Sequence, residues 1–245
     1  MKSCDFDSDK FAGYARLDDL DDLEKYYNEL VGILNDLDKV QVKNVLNVLR
    51  FAKDNKKTVF VLGNGGSASS AEHYVNDFMK IGGLKIISLT NISVVTALGN
   101  DISYEDIFVE QLKSLMSEGD VVIGISGSGN SMNVVKALEY ARDNSGIPVG
   151  ILGFDGGKCL EVLKDFPYVL VNSKDYGYVE DVHMSLSHSL SRMIKEKEIV
   201  REEKFEVPEY GVDLRDEEVG EELRQELFNE VNTEEKIYSR GFGSW

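Results

Sequence analysis

The chain has 245 residues, 42% hydrophobic and 29% charged, a balance ordinary for a globular protein and enough chain for one sizeable core with appendages. A net charge of −17 disfavours nucleic-acid backbones and anionic membrane surfaces, and no apolar run approaches the ~20 residues of a membrane-spanning helix. The start, "MKSCDFDSDK", lacks the basic-then-apolar pattern of a secretory signal, and Cys4 and Cys159 form neither a disulfide framework nor a metal-ligand spacing, so a cytoplasmic protein with no nucleic-acid or membrane partner is expected.

Residues 1–19 read as a polar lead-in. Leu20, Leu23, Tyr27, Leu30 and Leu34 recur at helical spacing over 20–36, and Val42, Val45, Leu46, Leu49 and Ala52 do so over 40–54. The rhythm then changes. Short β-rich runs at 58–63, 85–90, 120–126, 148–154 and 168–173 alternate with helical patterns at 64–80, 92–100, 104–116, 133–144, 158–166 and 179–200. Apolar strands alternating with helices predict an α/β fold, a doubly wound parallel sheet covered on both faces. From 201 the composition shifts: 14 Asp/Glu against 6 Lys/Arg over 201–245, with one plausible helix at 216–230. The expected organisation is a lead-in (1–19), one domain (20–200) and an acidic tail (201–245), partly helical or disordered, whose charge suits contacts with a protein partner.

Two of the predicted strands end in the same chemistry. The first gives Gly63-Asn64-Gly65-Gly66-Ser67 and the third gives Ser126-Gly127-Ser128-Gly129-Asn130-Ser131, each followed at once by a helix. Glycine allows close backbone approach, serine offers a hydroxyl, and a helix N-terminus presents unpaired N–H groups at its positive dipole end; together they suit a phosphate without Lys or Arg. Glycine and serine also serve as ordinary turn and cap residues. Neither turn is a G-x-G-x-x-G dinucleotide fingerprint, and no Gly-Lys-Ser/Thr makes a Walker loop. Among the histidines, His73 shares a helix face with Asp77 (i, i+4), Glu180 and His188 are about two turns apart on one face, and His183 lies off that face, where a satisfied core or surface histidine is the ordinary reading.

The segments "LGNGGSASSAEHYVNDF", "GNDISYEDIFVEQL", "EGDVVIGISGSGNSMNVVKALEYAR" and "VEDVHMSLSH" together resemble the SIS (sugar isomerase) domain, most closely its phosphoheptose isomerase branch, over roughly residues 25–198. The resemblance implies a five-stranded parallel sheet and a homotetramer with active sites between subunits. It assigns Ser126, Ser128 and Ser131 to phosphate binding, Asn64, Gly65 and Ser67 to a first loop contacting the sugar phosphate, and Asp101 of "GND" to the substrate's vicinity. It further implies a divalent metal, zinc, held by His73, Asp77, Glu180 and His188, with Asp77 and His188 as the acid/base pair. Two imidazoles and two carboxylates are donors Zn²⁺ accepts.

The implied activity is aldose–ketose isomerisation of a sugar phosphate, sedoheptulose 7-phosphate to glycero-manno-heptose 7-phosphate through an enediol. The competing expectation is a non-catalytic SIS module that binds a sugar phosphate or a protein partner as a regulator. The chain departs from the branch's pattern in five places, one of them a segment after Gly177-Tyr178 that is about three residues shorter than in the type enzyme. Asp77 stands where the type enzyme has Glu, Glu180 where it has Gln and Gly127 where it has Thr, and the tail after Val200 has no counterpart.

Overall fold

The computed structural model describes residues 18–195. The acidic tail, its expected helix at 216–230, Cys4 and most of the lead-in therefore lie outside the described residues.

Two helices come first, α1 (Asp18–Asn35) and α2 (Lys39–Asp54). The first begins two residues inside the expected lead-in. The Asp38 carboxylate caps α2, accepting from Val40 N–H at 2.8 Å and Gln41 N–H at 3.3 Å, a contact worth about 1 kcal/mol. Then follow β1 (Thr58–Leu62), α3 (Gly66–Lys80), β2 (Lys85–Ser88), α4 (Ile92–Asp101), α5 (Val109–Leu115), β3 (Val121–Ser126), α6 (Met132–Asp143), β4 (Ile147–Gly153), α7 (Gly157–Val162), β5 (Tyr168–Val171) and α8 (Tyr176–Lys195).

The helix expected over 104–116 is shorter than its periodicity suggested. Residues 104–108 form turns, because Ser103 Oγ donates to Asp106 Oδ2 at 2.6 Å and Lys136 reaches Asp106 Oδ1 at 3.0 Å, fixing the chain before α5 starts.

The sheet is entirely parallel, in the order β2-β1-β3-β4-β5, with Val59 opposite Val121 and Ile123 opposite Val149. Every residue of β1 and β3 is buried, which is why these strands read as continuous apolar runs rather than alternating ones. Val59, Val61, Ile123 and Ile151 face a core built with α2, α3 and α8. Phe60, Leu62, Val122 and Leu152 face a second core built with α5, α6 and α7.

Topology fixes where a ligand can sit. From β1 the chain crosses to β2 on one side, then returns to place β3 on the other side of β1. The connections therefore reverse direction between β1 and β3, and the crevice outside the carboxyl ends of those strands is the switch point of the fold. Both glycine-serine turns open there.

Candidate active site

The helices that follow the two turns start without side-chain caps. Gly65, before α3, has φ +54° and ψ −124° and makes no side-chain cap; Ser131, before α6, makes none either. By contrast α2 and α4 are capped by Asp38 and Asn91. The first N–H groups of α3 and α6 thus carry no N-cap side chain, as an anion site requires, although the Glu180 carboxylate stands beside Gly66 at the start of α3. In the second turn, Ser126 Oγ accepts from Gly129 N–H at 3.0 Å and Ser128 Oγ from Asn130 N–H at 3.3 Å. Both bonds use hydroxyl lone pairs and leave the hydroxyl protons to donate elsewhere. Gly129 has φ +67°, and a Cβ on it would collide with the Gly156 carbonyl, so only glycine fits.

A polar network ties the first turn to α6. Asn64 and Asn133 exchange amide hydrogen bonds at 2.8 and 2.9 Å, and the Tyr104 hydroxyl donates to Asn64 Oδ1 at 3.0 Å. Asn133 is buried, and its Oδ1 also accepts from Val134 N–H at 2.9 Å. The sequence reading missed both Asn133 and Tyr104. The signal was a polar residue in the first turn of an otherwise apolar helix face. A third missed residue, Tyr176, lies against Gly127: a Cβ there would meet the Tyr176 ring at 2.8 Å. Where the type enzyme carries a threonine, this chain has an aromatic ring in the space.

Two turns into α3 lies a cluster of ligand-type groups. His73 Nε2 is 2.8 Å from His188 Nε2 and 3.3 Å from Asp77 Oδ2, and His188 Nε2 is 3.7 Å from the same oxygen. Helices α3 and α8 run side by side and bring them together. The Asp77 carboxylate is buried, whereas the histidine side chains are 37% and 50% exposed, so the cluster is closed behind the carboxylate and open in front of the rings. Asp77 Oδ2 accepts from Ser187 Oγ at 3.2 Å, and Oδ1 from Asn76 Nδ2 at 3.1 Å. The three ligand atoms all lie within 4.8 Å of one another. Bonds of about 2.0–2.1 Å around a tetrahedral zinc put neighbouring ligand atoms roughly 3.3 Å apart, a value the three separations bracket. Two imidazole nitrogens and one carboxylate oxygen therefore fit a divalent cation in both chemistry and spacing.

Glu180 does not join this group within one chain. It stands eight residues before His188 on α8, about 12 Å along the axis. Its carboxylate lies instead against Gly66, the first residue of α3, where the helix dipole favours negative charge. Asp101 is exposed at the end of α4, where it accepts from Asn100 Nδ2 at 2.8 Å; among the described residues no hydrogen bond or ion pair ties it to the turns or to the cluster. Ser67 is buried in the first turn of α3. His183 is fully buried on α8 with both ring nitrogens lacking a well-formed hydrogen bond, and burial pushes its pKa down to about 4, the Leu152 backbone opposing weakly. Cys159 is also buried, and burial raises its thiol pKa to about 12, which makes it an inert packing residue.

The model of the SIS domain matches residues 25–153. The chain belongs to the SIS domain family, in its phosphoheptose isomerase branch. The phosphoheptose isomerase of Geotalea daltonii is 39% identical over 163 residues, 64% of this chain and 84% of the relative. That of Helicobacter pylori is 38% identical over 160 residues, covering 63% and 82%. Among solved structures, phosphoheptose isomerase GmhA from Neisseria gonorrhoeae superimposes with a TM-score of 0.67 at 26% identity, covering 73% of this chain and 99% of that one. The SIS fold of that relative is thus matched almost from end to end, and the rest of this chain lies outside the match.

Proposed function

We propose that the chain is a sugar-phosphate aldose–ketose isomerase, converting sedoheptulose 7-phosphate to glycero-manno-heptose 7-phosphate. One observation carries this: the helix whose uncapped N-terminus lines half of the crevice at the switch point also delivers His73 and Asp77 to the cluster with His188. One rigid element thereby links the phosphate end of a substrate to its reacting end.

In this reading the turns, with Ser126, Ser128, Ser131, Asn64, Gly65 and Ser67, bind the phosphate and the near hydroxyls, and Asp101 lies at the edge of the substrate site. The remote binding energy holds the sugar in place for proton transfer. The Asp77 carboxylate removes the proton from the carbon next to the carbonyl, and His188, through Nε2, donates to the carbonyl oxygen, leaving an enediol. The proton then returns from Asp77 to the former carbonyl carbon as His188 takes back the proton of the neighbouring hydroxyl. Burial of Asp77 keeps water from competing for that proton. His73, Asp77 and His188 would hold zinc, which when bound would occupy His188 Nε2 and, in place of the proton from that nitrogen, would polarise the carbonyl and stabilise the enediolate. A regulatory module that only bound sugar phosphates would have no need of this cluster.

We further propose a homo-oligomer, a tetramer as in the family. Leu20, Leu23, Tyr27 and Val31 on α1 and Ile92 and Val94 on α4 are exposed in the single chain, an apolar surface that a second copy would cover. Residues 20–200 would be the isomerase domain, and 201–245 an appendage suited to a protein partner. Among the described residues no helix is long and apolar enough to cross a membrane.

The deciding experiment incubates the protein and zinc with sedoheptulose 7-phosphate and follows the products by NMR. A new aldose phosphate is expected. Binding without turnover would instead make the chain a regulator.

A further inference from the structure

Four serines lie close together on α8, and their hydroxyls do not behave alike. A serine inside a helix normally returns its hydroxyl to a carbonyl one turn back. Ser189 does so, donating to the Leu186 carbonyl at 3.2 Å, and Ser191 likewise to the His188 carbonyl at 3.1 Å. Ser187, fully buried and preceding both in sequence, instead sends its hydroxyl across the helix pair to Asp77 Oδ2 at 3.2 Å. An ionised carboxylate only accepts, so Ser187 is the donor.

The oxygen it holds is the one that matters. Asp77 Oδ2 is the atom facing both His73 Nε2 and His188 Nε2, at 3.3 and 3.7 Å. Aspartate has two rotatable side-chain bonds, and the histidines are half open to solvent, so without a fixed donor the carboxylate could turn either oxygen toward them. Asn76 holds Oδ1 from the exposed side, on the same helix and one residue away. Ser187 holds Oδ2 from the buried side, on the opposite helix. The two donors define the plane of the carboxylate.

We propose that Ser187 is a positioning residue that aims Asp77 Oδ2 at the two histidines, setting both the cation affinity of the cluster and the placement of the base. This rests on the isomerase reading above. Ser187 touches neither substrate nor cation; it acts through Asp77, and partners of this kind typically alter metal affinity by about 10- to 100-fold.

The test compares Ser187→Ala with Ser191→Ala, an equally buried serine whose hydroxyl stays on its own helix. Three readouts are taken: zinc affinity by calorimetry with zinc alone, kcat and KM for sedoheptulose 7-phosphate, and the melting temperature of the zinc-free protein. Ser187→Ala is expected to weaken zinc binding about 10-fold or more and to lower kcat with KM within about two-fold, while the zinc-free melting temperature stays near that of Ser191→Ala. Ser191→Ala should match the unmodified protein in zinc affinity and kcat. Unchanged zinc affinity and kcat in Ser187→Ala would overturn the assignment while leaving the isomerase reading intact. Equal losses in the two variants would overturn it as a mere packing effect. An unmodified protein that neither binds zinc nor turns over substrate would overturn both.

Discussion

The buried histidine of α8 makes a prediction with a defined sign and size. His183 has no exposure, and burial holds its pKa at about 4, against 6.5 in an exposed histidine. Between pH 6.5 and 4 the unfolded chain binds a proton at this residue and the folded chain does not. Stability must therefore fall as pH falls through that window, and the His183 contribution is fully present only above the unfolded value. The shift is worth about 3 kcal/mol in total, of which about 2 kcal/mol is lost by pH 5. Urea unfolding at pH 7.5 and pH 5.0 measures it, with His183→Leu as the reference, because every other group is common to both proteins and cancels. The unmodified protein should lose about 2 kcal/mol more than the variant on acidification. Equal losses would mean that the buried ring is solvated or paired in a way its surroundings do not suggest. The residue sits in the α3–α8 seam that carries Asp77 and His188, where its backbone carbonyl accepts from the Tyr74 hydroxyl at 2.9 Å.

Three further outcomes follow from the anion crevice and the chain's boundaries. Ser128→Asp puts a carboxylate beside the bound phosphate and should abolish sugar-phosphate binding by calorimetry, with folding retained by circular dichroism. Gly129→Ala should cost at least about 2 kcal/mol in urea unfolding, since a left-handed φ of +67° already costs a non-glycine residue about 1–2 kcal/mol and the new Cβ meets the Gly156 carbonyl, which cannot rotate aside. Truncation after Val200 should leave kcat within a few-fold, because the shared fold accounts for 99% of the Neisseria relative without needing the remainder of this chain.

The sequence made the sheet legible because buried parallel strands are continuous apolar runs, and all five fall within two residues of their expected limits. Residues 104–108 misled, since Ile107, Phe108 and Leu112 are buried as a helix face would be, yet side-chain bonds from Ser103 and Lys136 hold the first part as turns. The pairing of His73 with Asp77 was legible because i, i+4 neighbours meet on any helix. Glu180 and His188 show the limit of the same argument. Helical periodicity gives the direction in which a side chain points, not its height, and two residues on one stripe can be 12 Å apart along the axis. The roles of Asn133, Tyr104, Tyr176 and Ser187 could not be read for another reason: each acts through a partner distant in sequence, and although Asn133 stands out as a polar residue on an apolar face, only the packed structure names that partner.

The rigidity of α3 has one more consequence, for the length of the sugar. The proposed phosphate crevice opens at Gly66, and His73 and Asp77 stand seven and eleven positions later, about 10 and 16 Å down the axis. Side chains on a helix lean back toward its N-terminus, which shortens both spans by a few ångströms but does not close them. A sugar phosphate anchored by its phosphate must therefore reach well down α3 before its carbonyl meets Asp77. A seven-carbon chain does this more fully than a five-carbon chain, and the shorter substrate either releases its phosphate or leaves its carbonyl out of reach. The difference should appear in kcat more than in KM, because the phosphate contacts are common to both and only the long chain brings the reacting carbon to the base. Turnover of five-, six- and seven-carbon 2-ketose phosphates under one set of conditions should thus rise with chain length while KM changes little. A five-carbon substrate turned over as fast as the seven-carbon one would show that the phosphate binds nearer the cluster than the two turns, and the helix would no longer act as the ruler.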